Sequence, residues 1–169
     1  MSLKIFCDIA DYRIIKKFNK LKIVKGFTTN PSLMRASGAK NYKQYSLKIL
    51  KICKTKPISF EVFSDDIQGM IQQAHQIKSW GKNVYVKIPV VNSKGKFTGR
   101  AIKELSSNNV KLNITAVYTY DQVKKIVKVL NKRSKSIISI FAGRMADVGK
   151  DPVPIFKRSI NLTKKYKNI

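Results

Sequence analysis

Asn83-Val84-Tyr85-Val86-Lys87-Ile88-Pro89 is the stretch whose reading decides the fold. Val84, Val86 and Ile88 alternate with Tyr85 and Lys87. That two-residue period belongs to a strand, so the aliphatic side chains share one face and Lys87 takes the other. Desolvation disfavours the charged form of a lysine and makes the nitrogen lone pair available to a carbonyl carbon. The stretch predicts a buried strand carrying a candidate Schiff-base nucleophile.

Similar short runs flank it on both sides. Residues 3–7, 26–30, 58–63, 112–117 and 137–141 read as strands with 84–88, and residues 45–53, 67–80, 99–105, 120–130 and 154–166 read as helices between them. Strands alternating with helices are the signature of parallel βα units. Asp65 and Asp66 precede one helix and Thr119 and Asp121 open another, as caps and first-turn acids should, and Gly81 reads as a helix stop.

Parity extends the argument to the other strands. Ser59 and Glu61 oppose Ile58, Phe60 and Val62; Asn113 and Thr115 oppose Leu112, Ile114 and Ala116; Ser139 and Phe141 oppose Ile138 and Ile140. Glu61, Lys87, Asn113 and Ser139 follow one another at intervals of 26 residues, with Asp8 and Asn30 ahead of them. A regular period of this kind predicts polar groups at the C-terminal ends of successive strands, converging as in a TIM-type (β/α)8 barrel. An open doubly wound sheet is the alternative, and it would not gather residues from every strand. Taken one at a time, Asp8 and Asn30 also suit turns or caps, Thr115 and Ser139 ordinary strand positions, and Arg144 an exposed loop. Glu61 and Lys87 kept as an ion pair for stability alone would gain little, because desolvating both charges offsets their attraction.

The 169 residues suit one globular domain, residues 1–169, and 43% hydrophobic content supplies a core. No signal-peptide pattern or membrane-length apolar run is present, so a cytoplasmic protein without membrane association is expected. Cys7 and Cys53 are far apart and read as reduced core thiols, and the one histidine, His75, sits in a polar helical run. A metal cluster and a histidine triad are thereby excluded. The net charge of +26 makes nucleic-acid binding the rival function. Against it, the lysines are spread over nearly every segment and arginines are few. No Gly-rich phosphate loop appears, which weakens a nucleotide-binding reading.

Six blocks carry a resemblance: Ile5-Phe6-Cys7-Asp8, Gly26-Phe27-Thr28-Thr29-Asn30-Pro31-Ser32-Leu33, Ser59-Phe60-Glu61-Val62, Val86-Lys87-Ile88-Pro89, Leu112-Asn113-Ile114-Thr115 and Ser139-Ile140-Phe141-Ala142-Gly143-Arg144. In this order the chain resembles the transaldolases, including the short bacterial members and the related fructose-6-phosphate aldolases. The resemblance implies a (β/α)8 barrel and class I aldolase chemistry on sugar phosphates with no metal or organic cofactor. It makes Lys87 the imine-forming residue, Asp8 the proton carrier in carbon–carbon cleavage, and Glu61 and Thr115 the holders of the water used in imine formation. Asn30 and Asn113 would bind the sugar or the imine, with Thr28 and Ser139 beside them, and Arg144 would grip the phosphate. Glu61 and Phe141 resemble the transaldolases, where the simple aldolases have Gln and Tyr; the implied reaction is transfer of a dihydroxyacetone unit, with simple cleavage of fructose 6-phosphate as the alternative.

The resemblance implies a seventh and an eighth strand beyond Tyr166, whereas the sequence ends at Ile169. About six βα units are expected, with the first and sixth strands as unpaired edges open to another copy or a partner chain. Weak or absent turnover by this chain alone, or an inactive barrel fragment, is the corresponding expectation.

Overall fold

Parallel strands need a crossover between them, and the helices supply it at each step of this chain. The computed structural model describes residues 3–169. In chain order these hold β1 (Ile5–Asp8), α1 (Tyr12–Asn19), β2 (Val24–Thr28), α2 (Pro31–Ala36), α3 (Tyr42–Ile52), β3 (Ile58–Glu61) and α4 (Ile67–Lys78). There follow β4 (Val84–Pro89), α5 (Gly99–Ser107), β5 (Leu112–Val117), α6 (Tyr120–Val129), β6 (Ser136–Ile140), α7 (Ala142–Ala146) and α8 (Val153–Thr163). The strands form one sheet in sequential order, β1-β2-β3-β4-β5-β6. Six βα units are therefore present, as the alternation predicts.

The chain divides into two compact units, one made of the residues up to Glu61 with Gln76–Val86, the other of Val62–His75 with Lys87–Ile169. In the first, β2 pairs in parallel with β1 and with β3. Phe6 lies opposite Gly26, and its ring occupies the space where a Cβ on residue 26 would stand, so any other residue there would have to displace that ring. The α1 helix packs on α3 and on β2, burying Ile15. Asp11 caps it by accepting the Arg13 N–H at 2.8 Å. At the far end the Lys56 ammonium donates to the Asn19 and Leu21 carbonyls, at 2.6 and 2.9 Å, and so satisfies groups the helix leaves open. Phe27, Ile49, Ile58 and Phe60 are all fully buried. The Trp80 indole meets the Phe60 ring and the Tyr42 ring edge-on, each at 5.9 Å between centroids.

In the second unit β5 pairs in parallel with β6, α5 lies against β5 and α6, and α6 packs on α8. Leu105, Leu112, Ile114, Val123 and Ile126 are fully buried. Thr119 forms a capping box with Gln122 at the start of α6, as its position ahead of the helix predicts. Asp66 likewise caps α4 by accepting the Gly69 N–H at 2.8 Å, while its neighbour Asp65 turns instead to Ser93, whose N–H and hydroxyl each donate to it at 2.7 Å.

Three helices, α1, α2 and α7, are absent from the sequence reading. Two of them are only five and six residues long, too short to show a helical period. The eight-residue α1 is amphipathic, with Ile15 on its buried face, and the reading passed over it. The second strand begins and ends two residues earlier than read, which moves Asn30 out of the strand and into the N-cap of α2. Gly81 is not in the left-handed region. The α4 helix ends at Lys78 and the chain turns through Ser79 and Trp80 without a glycine stop.

Phe60→Ala is expected to lower stability by about 3–5 kcal/mol, read as a fall in the urea midpoint at an unchanged slope. A second expectation concerns acid. The Arg13 side chain, then its backbone N–H, hold the Asp11 carboxyl down to about 2 from an ordinary 3.8. A depressed acid stabilises the fold above its unfolded value and loses that contribution as pH falls through the folded one. Melting curves between pH 3.8 and about 2 should therefore fall more steeply for the natural chain than for Asp11→Asn.

Candidate functional site

The first unit contributes Asp8, Thr28, Asn30 and Glu61. Asp8 and Thr28 are the last residues of their strands and lie in register with each other. The Thr28 hydroxyl donates to the Asp8 carboxylate at 2.5 Å, which fixes an otherwise exposed acid. Asn30 caps α2: its side-chain oxygen accepts the Leu33 N–H at 2.8 Å, followed by Pro31 at the first helical position. The cap engages the side-chain oxygen of Asn30 and does not involve its amide NH2. Glu61 closes β3 and is half-buried.

The second unit contributes Lys87, Asn113, Thr115, Ser139 and Arg144. Lys87 is 7% exposed in β4, the burial its strand parity predicts. Its carbonyl accepts the Val62 N–H at 3.1 Å. Asn113 and Thr115 are each 1% exposed. The Ser139 hydroxyl donates to the Asn113 side-chain oxygen at 2.7 Å, so two residues 26 apart in sequence do meet. The Thr115 hydroxyl is buried and has no hydrogen-bond partner among the described residues. Next to it, Ala116 adopts φ 56, where the pairing of β5 with β6 shifts register between Ile114 and Val117. A left-handed alanine costs about 1–2 kcal/mol, and bulges of this kind re-aim side chains beside functional groups. The Tyr118 and Phe141 rings pack edge-on at 5.7 Å.

One expectation needs correction. Asn113 is the second residue of β5 and not at its C-terminal end, because the constant 26-residue interval runs over strands that start at different points. Arg144 stands on α7 with its side chain 74% exposed and 3.9 Å from the Asp147 carboxylate. The sequence reading misses Tyr42, whose hydroxyl bonds the backbone of Glu61 at both its N–H and its C=O. No local signal marks it, since a tyrosine one residue after the capping Asn41 reads only as a helix start.

His75 is exposed on α4, Cys7 and Cys53 are free thiols, and burial pushes the Cys53 thiol up to about 11. No cluster of metal-ligating residues occurs among the described residues. Among them, no helix is long and apolar enough to cross a membrane.

The sequence profile of the family described as transaldolase/fructose-6-phosphate aldolase matches residues 5–169. The chain belongs to this family. It is similar to a probable transaldolase of Nitrosopumilus maritimus, 34% identical over 99% of this chain and 71% of the relative. A probable transaldolase of Methanococcus maripaludis is 36% identical over 88% of this chain and 65% of its own length. A third, from Thermoplasma volcanium, is 37% identical over 90% and 66%. The chain thus spans about two thirds of the length of these curated relatives. Among solved structures it resembles N-acetylneuraminate lyase from Mycoplasma synoviae, with a TM-score of 0.57 at 11% identity, covering 96% of this chain and 59% of that one. That likeness concerns the fold, and with the six βα units it places this member of the transaldolase family in the TIM-barrel class.

Ser139→Ala is expected to cost about 1 kcal/mol of stability, because buried Asn113 loses a donor, and equilibrium urea unfolding measures it.

Proposed function

We propose that this family member transfers a dihydroxyacetone unit between sugar phosphates through an imine on Lys87. The observation that carries the reading is a lysine only 7% exposed in the Val-Lys-Ile-Pro strand of a chain from this family. The Lys87 amine adds to the C2 carbonyl of a ketose phosphate, and loss of water from the adduct gives the iminium ion. The bond between C3 and C4 then breaks, its electron pair flows into the iminium nitrogen, and an aldose phosphate departs. Asp8 takes the proton of the C4 hydroxyl in that step and returns it when the enamine attacks the acceptor aldehyde. Hydrolysis of the second imine releases the new ketose phosphate.

The remaining groups suit the steps around this centre. Glu61 and Thr115 hold the water that leaves and later returns, and the buried Thr115 hydroxyl, with no partner among the described residues, is suited to that water. Asn113, oriented by Ser139, and the amide NH2 of Asn30 bind the sugar hydroxyls. Thr28 steadies Asp8 for proton transfer. The exposed Arg144 fork matches phosphate oxygens two at a time. Phe141 brings a phenyl ring with no proton to give the carbanion, which favours transfer over simple release of dihydroxyacetone. The two free thiols fit a reducing cytoplasm.

Sodium borohydride added with fructose 6-phosphate should fix the sugar on Lys87, seen as a mass increase on the peptide that contains it. Lys87→Met should abolish the adduct. Labelling of other lysines alone, or equal labelling of the Lys87→Met protein, would sink the proposal.

A further inference from the structure

Tyr42, the first residue of α3, reaches back to the end of β3. Its hydroxyl accepts the Glu61 N–H at 2.8 Å and donates to the Glu61 C=O at 3.1 Å. Sheet geometry explains why one hydroxyl does both. In a parallel sheet the N–H and C=O of a given residue face the same neighbouring strand, and alternate residues face alternate neighbours. Ser59 faces β2, where its carbonyl accepts the Thr29 N–H at 3.1 Å. Two residues later Glu61 faces the same way, but β2 has ended at Thr28 and the chain has turned into α2. Tyr42 stands in for the missing strand residue, and two backbone groups that would otherwise lack partners are satisfied.

The ring that carries this hydroxyl is fixed in its turn. Trp80 packs edge-on against it at 5.9 Å and against Phe60 at the same distance. Burial pushes the Tyr42 phenol well above its ordinary value, so it keeps the proton that it donates to the Glu61 carbonyl. Clamping both backbone groups of the last strand residue sets the direction in which its Cβ leaves the sheet, and hence where the carboxylate is delivered.

We infer that Tyr42 is a positioning residue for the Glu61 carboxylate, an assignment that rests on the Schiff-base reading above. Its effect on chemistry passes through Glu61 and through nothing else. The test is the rate at which borohydride-trapped imine accumulates at saturating fructose 6-phosphate, measured on the unaltered chain, Tyr42→Phe, Glu61→Gln and the double variant. Tyr42→Phe should slow trapping about tenfold, since small displacements of a reacting group carry large kinetic penalties, while the sugar concentration for half-maximal rate stays the same. On the Glu61→Gln background the same change should alter the rate by less than about twofold, the non-additivity expected of groups acting as one. An equal slowing on both backgrounds, or none on either, overturns the role of Tyr42 alone. No trapping in the unaltered chain overturns the imine chemistry and this assignment with it. If Tyr42→Phe does not fold, 3-fluorotyrosine at position 42 keeps the shape but weakens the oxygen as an acceptor. A slower rate confined to the Glu61 background supports the assignment, and an unchanged rate overturns it.

Discussion

Backbone hydrogen bonds at the strand exits are the constraint on which the placement of the candidate site rests. A parallel strand that leaves the sheet must still satisfy its last polar groups, because a buried amide without a partner is costly. The Ile9 N–H goes to the Thr28 carbonyl, Thr29 to Ser59, Val62 to Lys87, Val90 to Thr115 and Phe141 to Val117, all between 2.9 and 3.1 Å. Asp8, Thr28 and Glu61 each immediately precede one of these donors, and Thr28, Lys87 and Thr115 are acceptors. The residues with chemistry to offer thus sit where the backbone is pinned on one side and the chain is free to turn on the other. Rigid elements hold functional groups more closely than loops do.

Where this pattern fails, a side chain repairs it. On its β2 side Glu61 meets no strand residue because β2 is too short, and a phenol from α3 supplies the donor and the acceptor together. The bulge at Ala116 is another local departure: it costs backbone strain, and it lies next to a buried hydroxyl without a partner among the described residues. Both irregularities adjoin residues of the candidate site. Regular sheet would need neither.

The central strands β3, β4 and β5 were legible because their alternation is strong and most of their residues are buried, whereas β1 has no buried residue. Leu112–Val117 matches its reading at both ends, and Lys87 is buried as its parity requires. The short helices were not legible, since five or six residues cannot display a period of 3.6. Asn30 shows how a boundary changes a role: read as a strand end, it is a helix cap whose side-chain oxygen holds the Leu33 N–H. Asn113 shows the limit of sequence spacing, for an interval of 26 residues fixes neighbours in the sheet without fixing their depth along it. Its meeting with Ser139 follows from the register of β5 on β6.

Sequence alone determined the order of the six strands and of five of the eight helices, the parity that buries Lys87, and the family to which the blocks around Asp8, Thr28, Glu61, Lys87, Asn113 and Ser139 belong. These are local or pairwise properties, carried by side-chain period and by the residue types that chemistry demands. Tertiary structure decided which hydroxyl holds Asp8, which one is left without a partner at Thr115, and that Tyr42 takes the place of a strand beside Glu61. Such pairings join residues distant along the chain, and they depend on where each strand stops; the length of a strand is settled by packing and not by the period of its residues.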